Sequence, residues 1–413
     1  MKMQRLNRWI LLFCLLTFGG AALAMVKEVP LEALKPDKRL RQTALIVNQV
    51  LQKYHYRKVK LDDELSSHIF DKYLESCDPN KSFFTQEDVR EFEKYRHKLD
   101  EAIAHGWLEP AFEIFRRFRE RVDQQISWAL ELLERNPFDF TRKETYRFDR
   151  KDAPWAKDEA ALKELWRKRV KNDILGLRLA GKDEEKIRET LEKRYRTLRR
   201  RVHQLDADEV FQTFINAYTL SIEPHTAYMS PERSENFDIS MRLSLQGIGA
   251  VLSSKDEYTE VQKVVPGGPA DKSGQLKPGD RIIGVAQGRT GEMEDVVGWP
   301  LQDVVEKIRG PKGTVVRLSV LPKASGAQGA AREISIVRDQ IKLEDQAARS
   351  ELLEIDGMRF GVIELPAFYR DFRAQAAGRK DFRSTTRDVR RLITELKKQK
   401  VDGIIMDLRN NGG

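Results

Sequence analysis

The sequence is poor in cysteine and has no pattern typical of a metal site. Its 413 residues include only two cysteines, Cys14 and Cys77, and no His-x-x-x-His pair occurs. The segment 267–273 approaches a phosphate-binding loop, but Asp271 stands where such a loop requires glycine. We therefore predict no metal and no cofactor, and a fold that depends on its hydrophobic core.

The sequence also lacks an apolar run long enough to span a membrane. An apolar run that is too short for this lies near the start of the chain. Three basic residues among the first eight precede the apolar run Trp9–Phe18, and Ala22-Leu-Ala24 follows it. A membrane anchor needs about 20 apolar residues, so the pattern predicts a cleaved signal peptide over residues 1–24. Cleavage would remove Cys14 and leave Cys77 without a partner. We expect an exported protein with peripheral contact or no contact with a membrane.

The positive charge of the chain is mild once this segment is set aside. Cleavage would remove three positive charges and no negative ones, which lowers the net charge from +9 to +6. The basic run Arg194–Arg201 could indicate nucleic acid, which an exported protein rarely meets. We interpret this run as the solvated face of a helix, with an acidic partner surface as the alternative, and predict no nucleic-acid partner.

Glycine is scarce from residue 25 to residue 220, where helical periodicity dominates. Phe112, Phe115 and Phe118 recur at three-residue spacing, which is typical of the buried face of a helix. The segments 86–104 and 207–220 show the same period. The prolines of Glu223-Pro-His-Thr-Ala-Tyr-Met-Ser-Pro231 should end the helices. These features predict an α-helical domain over residues 25–235.

The next hundred residues are rich in β-strand patterns and glycine. Thr314–Leu321 alternates apolar and polar residues, and Ile334 and Ile336 alternate around Ser335. Two short helices, 269–273 and 301–309, should interrupt the strands. We predict a separate β-rich domain over residues 240–341.

The last segment, 342–413, predicts a β-α-β unit with parallel strands. The strands are 359–364 and 403–408, the helix is 384–400, and the connection is long enough for a right-handed crossover. The second strand ends in Asn410-Asn-Gly-Gly413. Such turns at the carboxyl ends of parallel strands commonly carry chemistry. One such unit cannot bury both faces of a sheet, so we expect more chain to follow. The overall class is α+β multidomain.

The β-rich domain resembles a PDZ domain of the bacterial protease type. The resemblance lies in Leu245-Gln-Gly-Ile-Gly-Ala-Val251, Val264-Val-Pro-Gly-Gly-Pro-Ala-Asp-Lys-Ser-Gly274, Pro278-Gly-Asp-Arg-Ile-Ile-Gly284 and the helix from Leu301. Glycines in the first motif would let backbone N–H groups converge on a peptide carboxylate. Another small barrel with turn glycines is the alternative. The predicted tail-binding residues are Leu245, Gln246, Gly247, Ile248, Gly249, Leu301, Val304, Val305 and Ile308.

The whole pattern resembles the C-terminal processing peptidases, or tail-specific proteases, in their long periplasmic Gram-negative form. The helical region, the segment 223–231, the PDZ segment and Asp407-Leu-Arg-Asn-Asn-Gly-Gly413 occur in the family's order. The resemblance implies a serine endopeptidase with a Ser–Lys pair, apolar C-terminal tails as substrates, a periplasmic location and a possible adaptor lipoprotein as partner.

The resemblance also implies that the catalytic serine and lysine lie after the glycine turn. No catalytic side chain is therefore predicted within these 413 residues, although Gly412 or Gly413 would supply one oxyanion-hole N–H. We expect the polypeptide alone to be inactive. The rival hypothesis is a catalytically dead tail-binding module from a truncated gene.

A histidine-dependent site is a weaker alternative. His225 lies near Ser230 and Ser234 in the sequence, but the resemblance makes it part of a structural turn that packs on the catalytic domain. The remaining histidines, in charged helical surroundings, are interpreted as surface or boundary residues: His55, His68, His97, His105 and His203.

Overall fold

A computed structural model describes residues 28–323 and 330–412. The chain forms two compact units, one made of residues 28–245 with 342–412 and the other of residues 246–341. The fold is α+β, with a helical N-terminal region, a PDZ β-sheet unit and part of a peptidase domain. The predicted signal peptide lies outside the described residues. Within the described part, every helix is too short or too polar to traverse a lipid bilayer.

The helical region surrounds one continuous hydrophobic core. Aspartates such as Asp37, Asp62 and Asp158 cap helix N-termini by accepting a backbone N–H. The helices are α1 (Lys38–Tyr54), α2 (Asp63–Cys77), α3 (Gln86–Phe92), α4 (Leu99–His105), α5 (Glu109–Arg135), α6 (Glu159–Leu179), α7 (Glu184–His203), α8 (Ala207–Ile222) and α9 (Pro231–Arg242).

The central helix α5 confirms the aromatic pattern that the sequence predicts. Phe112, Phe115 and Phe118 are buried in the core. The basic run at the end of α7 is mostly exposed, as interpreted, although Tyr195 within it is buried. The segment 86–104 is mostly helical, as predicted, and it is divided into the separate helices α3 and α4. The hydroxyl of Ser66, on α2, accepts the Leu99 N–H at 2.8 Å and starts α4 there.

One helix, α9, was not predicted, because the prolines at 224 and 231 were interpreted as the end of the helices. Pro231 occupies the first helical turn, where its missing N–H costs nothing. The Ser230 hydroxyl caps the helix by accepting the Arg233 N–H. The helix ends at Leu243, whose φ of 51° is left-handed.

The second unit is a β-sheet with two short helices. Its strands are β1 (Ser244–Gly247), β2 (Ala250–Lys255), β3 (Tyr258–Val264), β4 (Arg281–Gln287), β5 (Glu294–Asp295), β6 (Val315–Leu321), β7 (Arg332–Val337) and β8 (Asp339–Lys342), and its helices are α10 (Pro269–Ser273) and α11 (Leu301–Ile308). The main sheet has the order β2-β3-β4-β6-β7, with β5 beside β4, and β1 pairs with β8.

The predicted alternation in this sheet is confirmed. Val316, Leu318 and Val320 are fully buried, and Ile334 and Ile336 are buried beside them on β7. These side chains share one hydrophobic core with α11. Burial on one face only is what an antiparallel sheet with one solvated side requires.

The C-terminal segment confirms the predicted β-α-β unit and adds one strand. The strands are β9 (Arg349–Ile355), β10 (Met358–Glu364) and β11 (Gly403–Asp407), and the helices are α12 (Phe372–Ala376) and α13 (Thr385–Lys398). Strands β10 and β11 pair in parallel, whereas β9 pairs with β10 in an antiparallel hairpin that was not predicted.

Helix α13 covers only one face of this three-stranded sheet. Leu396 packs so closely on β10 that a Cβ on Gly361 would lie 2.6 Å from its Cδ1. Ile404, Ile405 and Met406 on β11 are all exposed by more than 40%. Within residues 28–323 and 330–412, these three apolar side chains of β11 are therefore not buried.

Candidate functional site

The candidate peptide-binding groove lies beside strand β2, at one edge of the PDZ sheet. Within the described strands, β2 pairs with β3 only, so its other edge is open. Helix α11 packs next to β2 and β4. An open strand edge flanked by a helix is the arrangement that lets a peptide add as a further strand.

The glycine loop before β2 has backbone N–H groups available for a ligand. The carbonyl oxygens of Ile248 and Gly249 accept hydrogen bonds of 2.8 Å from Ala270 and Val265. Within residues 28–323 and 330–412, no hydrogen-bond acceptor meets the N–H of Ile248 or of Gly249. The loop therefore has two carbonyls paired and two donors unused, as an anion-binding loop needs.

Gly249 has a conformation that favours glycine. Its φ is +76°, and a Cβ there would lie 3.4 Å from both the Gly268 Cα and the Ile341 side chain. The positive φ explains why the loop turns before β2 begins.

The predicted tail-binding residues differ in their exposure. Val304 and Ile308 on α11 are buried in the sheet core, whereas Leu301 and Val305 are partly exposed. Leu245 is partly exposed, and Gly247, Ile248 and Gly249 are buried. The side chain of Gln246 accepts the Lys312 N–H at 3.2 Å. Direct contact with a peptide side chain is thus open to Leu301 and Val305 on the helix.

Sequence reasoning missed Arg338, which fixes the end of α11. This arginine is 3% exposed. It donates to the carbonyls of Ile308 at 2.8 Å and Lys307 at 3.0 Å, and to the Gln287 side chain at 2.7 Å. Burial lowers its pKa, and the carbonyls at the helix C-terminus favour its charge. Gly310 could have indicated the contact, since a Cβ there would lie 2.9 Å from the guanidinium.

The second candidate feature is the turn after β11. Asp407 at the strand end binds Arg409, which lowers the pKa of that carboxyl to about 2. The Asn411 side-chain amide donates to the Leu365 carbonyl at 2.8 Å, where β10 ends. A Cβ on Gly412 would meet no atom of the described residues within 4 Å. Gly413 lies outside the described residues.

His225 does not form a catalytic pair with a serine in the described structure. Its Nδ1 is 2.6 Å from the Glu223 carboxylate, and its side chain is 89% exposed. The Glu223 carboxylate also accepts the Thr226 hydroxyl, while Ser230 caps α9. No hydrogen bond within the described part of the chain joins His225 to a serine. The turn is ordered by Glu223.

The interpretation of His203 as a surface or boundary residue is wrong. Its side chain is 8% exposed, whereas His68, His97 and His105 are exposed, and His55 lies at a partly buried position. His203 is the last residue of α7, and its helical spacing could not show that α5 and the segment from Glu28 cover it. Among the described residues, no cluster of three or more His, Cys, Asp or Glu side chains could hold a metal ion.

Comparison with known proteins accounts for most of the chain. Residues 47–232 match the model of the tail-specific protease N-terminal domain, residues 237–321 match the PDZ domain, and residues 359–413 match peptidase family S41. A tail-specific protease of Haemophilus influenzae is 43% identical over 364 residues, which are 88% of this chain and 50% of that protein. Most of this chain is therefore similar to tail-specific proteases.

A second relative is less similar to this chain. The carboxy-terminal processing protease CtpA of Bacillus subtilis is 29% identical, over 59% of this chain and 46% of that protein. This chain spans about half the length of the curated relatives it matches.

Two solved structures complete the comparison. A PDZ domain of a carboxy-terminal protease from Vibrio cholerae, in complex with peptide, is 53% identical, and the match covers 24% of this chain and all of that one with a TM-score of 0.23. The photosystem II D1 C-terminal processing protease is 22% identical, over 56% of each chain, with a TM-score of 0.27.

Proposed function

We propose that this chain is part of an exported serine endopeptidase that selects substrates by their C-terminal tails. The observation that supports this most is the open edge of β2 next to the two unused N–H donors of Ile248 and Gly249. A tail would pair with β2 as an added strand, and its carboxylate would accept hydrogen bonds from the loop. Similarity to tail-specific proteases supports the same function.

The groove favours tails with small or apolar last residues. Leu301 and Val305 offer partly exposed apolar surface on α11, directly beside the strand edge. One short added strand buries little area, so we expect a dissociation constant on the order of micromolar, or about −8 kcal/mol. In the cell, apolar tails of cell-envelope proteins would be the substrates.

The turn after β11 would contribute to catalysis through its backbone. Hydrolysis of a peptide bond passes through an oxyanion that two aligned N–H donors normally stabilise. Gly412 or Gly413 would supply one donor, since the glycine turn follows the end of β11. The serine nucleophile and the lysine base would follow in the sequence, so the 413 residues alone would bind tails without cleaving them.

Substitutions on α11 test the groove. Val305→Asp places a charge beside the strand edge and should weaken binding of a fluorescent peptide with an apolar free C-terminus at least tenfold. Val337→Asp is the matched control, because Val337 is 56% exposed on β7, at the other edge of the same sheet. If the peptide bound both variants with equal affinity, the proposed groove beside β2 would be wrong. Val304 is fully buried, so a charge there would test folding instead.

The second candidate function is tail binding without catalysis. The observation in its favour is that the PDZ unit has its own hydrophobic core and sheet, which binding alone would require. The two functions differ in what the gene encodes after the codon for Gly413. A continuing frame with a serine and a lysine would support the peptidase, whereas a stop codon would support the binding module.

Export is part of the proposal and has its own test. Cleavage after Ala24 would give a mature protein that begins at Met25 in the periplasm, where an adaptor lipoprotein could bind the helical region. N-terminal sequencing of the protein from the cell-envelope fraction should read Met25-Val-Lys-Glu. Recovery of the chain in the cytoplasm with Met1 intact would contradict it.

A further inference from the structure

Outside the groove and the strand-end turn, a partly buried cluster of charges surrounds the buried side chain of His203. The cluster joins three elements: the end of α7, the middle of α5 and the segment that begins at Glu28. The His203 Nε2 is 2.7 Å from the Asp123 carboxylate. Its Nδ1 is 3.1 Å from the Glu28 carboxylate and also 3.1 Å from the Arg119 guanidinium.

The two partners of Nδ1 exclude each other chemically. Arg119 can only donate a hydrogen bond, so it requires a lone pair on Nδ1 and therefore a neutral ring. The Glu28 carboxylate can only accept, so it requires a proton on Nδ1. Since Nε2 donates to Asp123 in either case, the Glu28 contact requires both ring nitrogens to carry protons. The choice between Arg119 and Glu28 is then a choice between the neutral and the protonated imidazole.

We propose that His203 is a proton-operated latch for the segment beginning at Glu28, with Arg119 and Glu28 as alternative partners of its Nδ1. At higher pH the neutral ring accepts from Arg119, and Glu28 is released. When the ring takes up a proton, Nδ1 donates to Glu28. The segment is then held by the Glu28 side chain and also by a backbone hydrogen bond. The backbone tie is the Val29 N–H, which donates to the His203 carbonyl at 2.8 Å.

Charged groups of both signs lie around the His203 ring. Asp123 and Glu28 favour the protonated ring, whereas Arg119 and burial oppose it. On α7, Arg199 donates to the same Asp123 oxygen at 2.8 Å, which also opposes a second positive charge. Glu32, on the N-terminal segment, adds to the negative charge that acts on Arg119.

The burial and the hydrogen bonding of Arg119 also bear on the exchange of partners at Nδ1. It is 5% exposed, and burial lowers its pKa. Its Nη1 has no hydrogen-bond partner within the described part of the chain. A buried guanidinium with an unused donor is costly, and loss of the Nη2 bond to His203 would leave a second donor of Arg119 without this partner. Histidine is the side chain whose charge normally changes between pH 5 and 8.

The test follows the His203 ring directly. In the chain labelled with ¹⁵N-histidine, the His203 signals are those lost in His203→Asn. At pH 8 we expect the tautomer with the proton on Nε2, and on acidification both nitrogens should become protonated. Glu28→Gln should lower the midpoint of this titration and Arg119→Leu should raise it, each by about half a pH unit or more. Glu131→Gln, on the exposed face of α5, is the control and should leave it unchanged.

Amide hydrogen exchange tests the latch itself. After correction for the intrinsic pH dependence of exchange, the segment around Val29 should be better protected at pH 5.5 than at pH 8, by threefold or more. Glu28→Gln should remove this difference. A proton on Nδ1 at pH 8, midpoints that shift in the same direction, or protection independent of the ring titration would each overturn the proposal. If Arg119→Leu fails to fold, the comparison of the wild-type chain with Glu28→Gln still tests the proposal.

Discussion

The side-chain amide of Asn411 donates a 2.8 Å hydrogen bond to the carbonyl oxygen of Leu365. This bond joins the turn after β11 to the end of its parallel neighbour β10. The turn is further shaped by Asn410, whose φ of 63° is left-handed. The position of the Gly412 backbone, and hence of the proposed oxyanion donor, therefore depends on two asparagines.

Asn411→Ala should loosen this turn without unfolding the sheet. Loss of one hydrogen bond costs about 1 kcal/mol, so amide exchange should accelerate in residues 408–412 and remain slow in β10. Asn410→Gly is the control, because glycine adopts a left-handed φ readily and should preserve the turn. Equal exchange in all three proteins would show that the Asn411 bond does not order the turn.

Asp88 should be critical to the helical region. It is fully buried, and it binds Arg121 at 2.9 Å and Arg117 at 2.6 Å. Asp88→Asn would leave two guanidinium groups without their buried carboxylate and should cost about 3–5 kcal/mol in urea unfolding at pH 7. Glu159→Gln, which removes an exposed partner of Arg121, should cost less than about 1 kcal/mol. Similar losses for the two variants would contradict this account.

The contribution of Asp88 should also depend on pH. Burial raises the pKa of this carboxyl, but hydrogen bonds from Arg121, Thr85 and Arg117 outweigh burial and the net pKa is lowered. A lowered folded pKa gives stability that is present above the unfolded value, about 3.9, and is lost as the pH falls through the folded value. The difference between wild type and Asp88→Asn should therefore shrink below about pH 4.

Cys77 should be unreactive in the folded protein. Burial raises the pKa of its thiol to about 12, and the thiolate is the reactive form. With Cys14 replaced by serine, a thiol reagent at pH 8 should label the chain only in denaturant. Stoichiometric labelling of the native protein within minutes would show that α2 opens or that the thiol is accessible.

The 413-residue polypeptide should show no peptidase activity on a peptide with an apolar C-terminus. A serine peptidase acts through its nucleophile, base and oxyanion donors together, and loss of one member removes most of the rate. Ser230→Ala is the informative control if turnover is seen. Turnover that this substitution abolishes would redirect the mechanism to Ser230 and His225.

Hydrophobic periodicity predicted the helices and strands that are defined by the pattern of their own residues. The alternation of Val316, Leu318 and Val320 and the β-α-β unit both follow from periodicity that spans whole elements. The elements that the sequence did not reveal depend on contacts with other elements. Ser66 starts α4, and strand β9 is defined by its pairing with β10.

In the candidate site, too, local sequence predicted some features and tertiary contacts determine the others. Glycines at 247 and 249 indicated a loop with available N–H groups, but the sequence could not separate Val305, which is partly exposed, from Val304, which is buried one residue away. Arg338 and the burial of His203 depend on tertiary contacts with distant segments. The tail-binding residues remain a prediction.

Titration calorimetry with one peptide in two forms tests the central claim most directly. The peptide has an apolar last residue and is prepared with a free carboxylate and with an amidated C-terminus. If the N–H groups of Ile248 and Gly249 receive a carboxylate, the free acid should bind with a micromolar dissociation constant and the amide at least tenfold more weakly. Equal affinities would mean that the glycine loop is only a turn and that this domain does not select proteins by their C-terminal ends.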